Sequence, residues 1–98
     1  MDNDSVVLKV ASEAMTAIDL QHRAATFPDK LVLGPERDRA FSAYLAARLK
    51  LLADGVICTP ADVAEMGKIR DEVNAAAERQ TMLVAIGRMA GFLLKLVV

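Results

Sequence analysis

Ninety-eight residues suffice for one small domain spanning 1–98, and a composition of 54% hydrophobic and 26% charged residues excludes a disordered chain. The net charge of −1 supplies no general field to recruit phosphate backbones or anionic lipid. The single cysteine, Cys58, excludes an intrachain disulfide and a cysteine-built zinc cluster.

Much of the apolar count is alanine, and β-branched residues are sparse outside a few valines, which favours helix over strand. Asp2, Asn3, Asp4 and Ser5 offer N-caps and negative charge for a first helix over about 5–26. Val7, Val10, Ala11, Ala14, Ile18 and Ala25 recur on one face of it. Phe27 precedes Pro28, and a pre-proline residue avoids helical geometry, so the helix is expected to stop near Thr26. Residues 27–34 then read as a connector, with Leu31, Val32 and Leu33 plugging the core. Gly34-Pro35 opens a second helix over 35–54, which Gly55 ends. Val56, Ile57 and Cys58 form a short apolar link.

Thr59-Pro60-Ala61-Asp62 is the clearest start signal in the chain, because Thr59 can cap and Asp62 can reach back to complete a capping box. Cys58 and Val63 occupy the positions of a hydrophobic staple. No proline follows Pro60, so the third helix is expected over 60–97. Unbroken it would span about 57 Å at 1.5 Å per residue, against a radius of gyration near 13 Å for a domain of this size. It must break, at Gly67 or Gly87, or project into another subunit. No internal repeat is visible. The expected fold is all-α, a small three-helix bundle with a long C-terminal helix, completed by dimerisation.

Met82 to Val98 is apolar around most of the helix and carries only Arg88 and Lys95. Leu83, Ile86, Met89, Ala90, Phe92, Leu93, Leu94 and Leu96 are therefore expected at a homodimer seam, with Gly87 and Gly91 letting two backbones approach. The same stretch read as a membrane-associated helix is shorter than the roughly 20 residues of a span.

On the second helix, Phe41, Tyr44, Leu45, Leu51 and Leu52 share a broad face with Arg48 near its middle and Arg37 close by. A charge inside an apolar stripe needs a partner, so Arg37 and Arg48 are candidate contacts for an anion or a partner protein. Asp19 and His22 share a face, as do Asp62 and Glu65, but one histidine falls short of a carboxylate-bridged metal set. Cys58, Ser42 and Thr59 have no base with an orienting partner, and no glycine-rich phosphate loop occurs. Neither catalysis nor a cofactor or metal is expected.

Thr59-Pro-Ala-Asp-Val-Ala-Glu-Met-Gly67 resembles the second helix and turn of helix-turn-helix DNA-binding domains. The resemblance covers about twenty residues and implies a recognition helix opening at Lys68, with Lys68, Arg70 and Arg79 as DNA contacts. Asp71 and Glu72 put two acids on that same helix. The N-terminus is acidic and lacks the basic n-region of a secretory signal, which with the lone cysteine points to the cytoplasm. The expected function is that of a small non-enzymatic interaction or regulatory protein, homodimeric through its C-terminal helix, that binds an unidentified protein partner. A DNA-binding regulator ranks second and a membrane-associated helical protein third.

Overall fold

The computed structural model describes residues 2–55 and 57–97, and among them four α-helices and no strand. They are α1 (Asn3–Ala24), α2 (Phe27–Asp54), α3 (Pro60–Ala75) and α4 (Arg79–Val97). The all-α expectation holds; the expectation of three helices does not.

Asp2 is the N-cap of α1 and accepts the Ser5 backbone N–H at 2.7 Å. That bond, with the Ser5 side chain adding to it, holds the Asp2 carboxyl below the usual carboxylate range. The α1 helix ends at Ala24, close to the expected stop. The next helix starts at once, however, so the connector expected over 27–34 is helical. Thr26 accepts the Asp29 N–H at 3.4 Å, and Pro28 sits in the first turn, where a missing N–H has no intrahelical acceptor to disappoint. Pro28 is thus a start signal, and Pro35, expected at a helix start, lies inside α2. A proline in a helix interior costs about 3 kcal/mol and removes the partner of the carbonyl four residues back. Here that carbonyl belongs to Leu31, which faces solvent, so water can serve it.

The capping box of α3 is complete. Thr59 Oγ1 accepts the Asp62 N–H at 3.2 Å, and Asp62 accepts the Thr59 N–H at 2.9 Å. Cys58 is buried and Val63 packs against the core. Val56, the first residue of the expected apolar link, lies outside the described residues.

The long third helix does break, but at neither glycine. Gly67 and Gly87 are both inside helices, and the interruption falls at residues 76–78. Ala76 leaves helical geometry at ψ 117°, and the Val73 carbonyl accepts both the Ala76 N–H and Gln21 Nε2 of α1. On the other side, Thr81 Oγ1 accepts the Glu78 N–H and donates to the Glu78 carbonyl, starting α4. The longest dimension of the molecule is 40 Å, too short for a straight helix over 60–97. The chain folds back instead.

Specific contacts fix the directions of the helices. Asp19 on α1 meets Arg37 on α2, while Asp4 at the start of α1 meets the link just beyond α2, so these two helices form an antiparallel hairpin. Arg88 on α4 pairs with Glu65 and Glu72 on α3, closing a second hairpin. Across the hairpins, Glu13–Arg70 and Gln21–Val73 set α1 parallel to α3, and Asp29–Arg79 sets α2 parallel to α4. The result is two αα-hairpins laid side by side, with α2 against α4 and α1 against α3 as the main seams.

The core runs between them: Val7, Ile18, Met66, Ile69, Val73, Ile86, Met89 and Leu93 are almost fully excluded from solvent. The contribution of α2 is mostly small, namely Ala40, Ala43 and Ala47 with Leu33 and Leu51. Alanines at the seam let helix axes approach toward the short end of the 8–10 Å range.

Candidate partner-binding face

At 100° per residue, Ala40, Ala43, Ala47 and Leu51 cluster on one side of α2. Phe27, Leu31, Phe41, Leu45, Leu49 and Leu52 cluster on the opposite side. All six of the latter are exposed, from 41% at Leu45 to 72% at Phe27. The helix is therefore apolar on two faces, and its larger side chains point outward. The broad face expected for Phe41, Tyr44, Leu45, Leu51 and Leu52 is therefore split: Leu51 is buried, while Phe41, Leu45 and Leu52 are exposed, and the side against the interior carries alanines. Leu31 and Val32, expected to plug the core, are also exposed, and only Leu33 is buried.

Between Leu31 and Phe41 the helix carries Gly34, half-buried against His22 of α1, and the exposed Asp38. Beside it, α1 presents Met15 and Asp19, and a shallow groove runs from Met15 to Phe41 and Tyr44. Arg48 is exposed within the stripe and makes no ion pair or hydrogen bond among the described residues. Arg37 is already engaged. It contacts Asp38 Oδ1 at 3.0 Å, lies 3.7 Å from Asp19, and meets His22 Nδ1 at 3.0 Å. The two arginines singled out in the sequence are thus unlike in kind, one spent inside the hairpin and one available.

The ten residues expected at a C-terminal seam divide differently. Ile86, Met89, Ala90, Phe92, Leu93 and Leu96 are buried in the core of a single chain, packed by their own hairpin and by α2. Leu83 and Gly87 are half-buried, and Gly91 and Leu94 are exposed. A Cβ added at Gly87 or Gly91 would meet nothing within 4 Å, so neither glycine serves a close helix contact within the chain. α4 is long and apolar enough to cross a membrane, yet eight of its residues form the interior of the bundle.

The basic residues of the helix-turn-helix reading are also placed. The turn expected at Gly67 is absent, because α3 runs unbroken from Pro60 to Ala75. Arg70 pairs with Glu13 and Asp71, which hold its guanidinium more firmly protonated, and Arg79 pairs with Asp29. Lys68 is exposed. Asp62 is spent on its cap, and no group of three potential metal ligands occurs among the described residues. Burial pushes the Cys58 thiol up to about 12, with Asp4 adding to the effect, so it is protonated and a poor nucleophile at neutral pH.

Asp4 is the polar residue that sequence reading undervalued. It appeared as one of four possible caps, but its carboxylate is buried and accepts the backbone N–H groups of Ile57 and Cys58. Asn3 Nδ2 donates to the Cys58 carbonyl at 3.2 Å, so the start of α1 clamps the link into α3. Nothing local marks Asp4 for this, since its partners lie more than fifty residues away.

Compared with known proteins, the sequence matches no family, no curated protein and no solved structure.

Proposed function

We propose that this is a small non-catalytic interaction protein that works by binding another macromolecule and that forms a homodimer. The observation that carries the reading is the outer stripe of α2, a row of large apolar side chains along a 28-residue helix whose opposite face already fills the core. A contiguous exposed apolar patch beyond a few hundred Å² marks an interaction surface, and a partner that fits a narrow stripe along a helix is another α-helix. The interface moves from α4 to α2 in this account, because most of the α4 residues first considered are used inside the chain. The chemistry-bearing residues support a binding role: His22 leans on Arg37, Cys58 is held protonated, and Asp62 caps a helix. Nucleic-acid binding through Lys68, Arg70 and Arg79 has weaker support, since acids of the chain already neutralise two of the three.

Hydroxyl-radical footprinting of the full chain, in dilute solution, at working concentration and in an extract of its host, tests the reading. Phe27, Phe41, Leu45, Leu49 and Leu52 should lose labelling as the stripe is covered, while exposed Val84 on α4 keeps it. A stripe labelled as strongly as Val84 under every condition would contradict a binding role for this face.

A further inference from the structure

We infer that the outer stripe of α2 is covered by α2 of a second copy of this chain, running antiparallel about a two-fold axis that crosses the seam level with Ala43 along the helix, with each Asp38 paired to the partner's Arg48. This rests on the reading of the stripe as a binding surface, and it adds the occupant, the direction and the register.

The stripe has the spacing of a coiled-coil seam. Leu31, Asp38, Leu45 and Leu52 fall on one position of the seven-residue repeat, and Phe27, Gly34, Phe41 and Arg48 on the other seam position. When two such helices run antiparallel, each layer sets a residue of the first class against one of the second. With the axis level with Ala43, Leu45 lies against the partner's Phe41, Asp38 against the partner's Arg48, and Leu52 against the partner's Gly34. Within the overlap of the two helices, residues 32–54, every layer then joins apolar to apolar, acid to base, or leucine to glycine, while Phe27 and Leu31 extend past the end of the partner's α2. The sequence of α2 is complementary to its own reverse.

Other arrangements fail on charge. A parallel pair would set Asp38 against Asp38 and Arg48 against Arg48. An antiparallel pair slipped by one repeat would leave Asp38 against Phe41 or Gly55, and Arg48 against Leu45 or Leu31. Like charges at close quarters cost several kcal/mol, and a charge pressed on an apolar layer goes unpaired.

Both groups are free to make the pair. Arg48 has no polar contact among the described residues, and the contacts of Asp38 to Arg37 all fall on Oδ1, leaving Oδ2 open. On a narrow two-helix seam the pair sits near water, so it sets direction and register more than it adds affinity. Affinity comes from the apolar layers. Phe41, Leu45, Leu49 and Leu52, the large exposed side chains within the overlap, offer on the order of 400 Å² per copy, about half of the roughly 800 Å² per partner of a standard-size interface.

Sedimentation equilibrium on the full chain and three variants, Asp38→Arg, Arg48→Asp and the double Asp38→Arg/Arg48→Asp, tests the inference. Both positions are exposed, so helicity should be unchanged in all three. The chain should be dimeric at roughly tens of micromolar, as a dissociation constant of about 1 μM gives. Each single variant should weaken the dimer roughly a hundredfold or more by bringing like charges together. The double variant should return to within about tenfold of the original. Asp38→Arg also loses the Arg37 contact, but the double variant shares that loss, so its recovery isolates the pairing between copies. A monomeric chain, singles that dimerise as the original does, or a double variant as weak as the singles would each overturn the inference. If the purified chain is monomeric and the stripe is nevertheless shielded in host extract, the second copy is ruled out while the binding surface stands.

Discussion

Replacing Asp4 with alanine should destabilise the fold more than replacing any other single carboxylate in the chain. The side chain is 6% exposed and meets Ile57 N at 3.0 and 3.1 Å and Cys58 N at 2.7 Å. Each hydrogen bond to a charged group is worth about 1.5–3 kcal/mol, and an N–H left without an acceptor in the interior costs about 1–3 kcal/mol. Cys58 is buried whereas Ile57 is half-buried, so water can rescue one N–H better than the other. The negative charge also favours the first turn of α1 by about 0.3–1 kcal/mol. Together these give a loss of roughly 2–4 kcal/mol for Asp4→Ala, and about half that for Asp4→Asn, which keeps an acceptor oxygen but no charge. Urea unfolding followed by circular dichroism reads the loss directly. At a slope of about 1–3 kcal/mol per molar urea, the midpoint should fall by roughly 1–2 M with the slope unchanged. A midpoint for Asp4→Ala within the equivalent of about 0.5 kcal/mol of the original would show that water satisfies both N–H groups and that the clamp is not a stabilising element.

Thr59→Ala removes half of a complete capping box and should cost about 1 kcal/mol in the same assay, and an unchanged midpoint would deny the cap its role. Gly87→Ala and Gly91→Ala should each raise stability by up to about 1 kcal/mol, because a Cβ there meets nothing within 4 Å; a loss of stability would reveal a close contact made in the assembled protein. Ala47→Leu, on the buried face of α2, should overpack the seam with α4 and cost about 1–3 kcal/mol, and a neutral result would mean that the inner and outer faces are assigned the wrong way round. The Cys58 thiol, raised to about 12 from an ordinary value of 9.0, keeps its proton in the fold after the unfolded chain has lost it. This group's contribution to stability is therefore flat below about pH 8 and falls as pH rises through 9 toward 12. A maleimide should label it at pH 7.5 only as fast as the protein opens, and labelling as fast as in urea would contradict its burial.

Signals carried by a few adjacent residues were legible. The capping box at Thr59–Asp62 and the inner face of α1 from Val7 to Ile18 could be read because their partners are three or four residues away. Pro28 was ambiguous because proline both stops a helix and opens one, and only the Thr26 cap with Asp29 decides between them. The break at residues 76–78 has no glycine or proline to announce it. Its causes are tertiary, namely the return over α2 and the hold of Gln21 on the Val73 carbonyl, and only Thr81 reaching back to Glu78 could have hinted at it. The faces of α2 show a limit of periodicity itself. Two apolar stripes on opposite sides give no single direction, and leucine and phenylalanine outweigh alanine in any reading by hydrophobicity. What decides is the space beside α4, which a sequence does not display. Arg48 was noticed because a charge in an apolar stripe is costly, and the structure leaves it exposed on that stripe, with no polar partner among the described residues.

The proposed antiparallel pairing of two α2 helices predicts a pair of spin-label distances. Labels placed at Ser42→Cys, then separately at Ala53→Cys, both exposed positions on α2, in a Cys58→Ala background, report the separation between copies by pulsed dipolar spectroscopy. About a two-fold axis level with Ala43, the two labels at 42 sit close together. The two labels at 53 stand about 30 Å apart along the helices, twenty residues at about 1.5 Å each. A short distance at 42 with a long one at 53 is the predicted result. Equal short distances at both sites, as a parallel pair would give, or no coupling between copies at either site, would contradict the account.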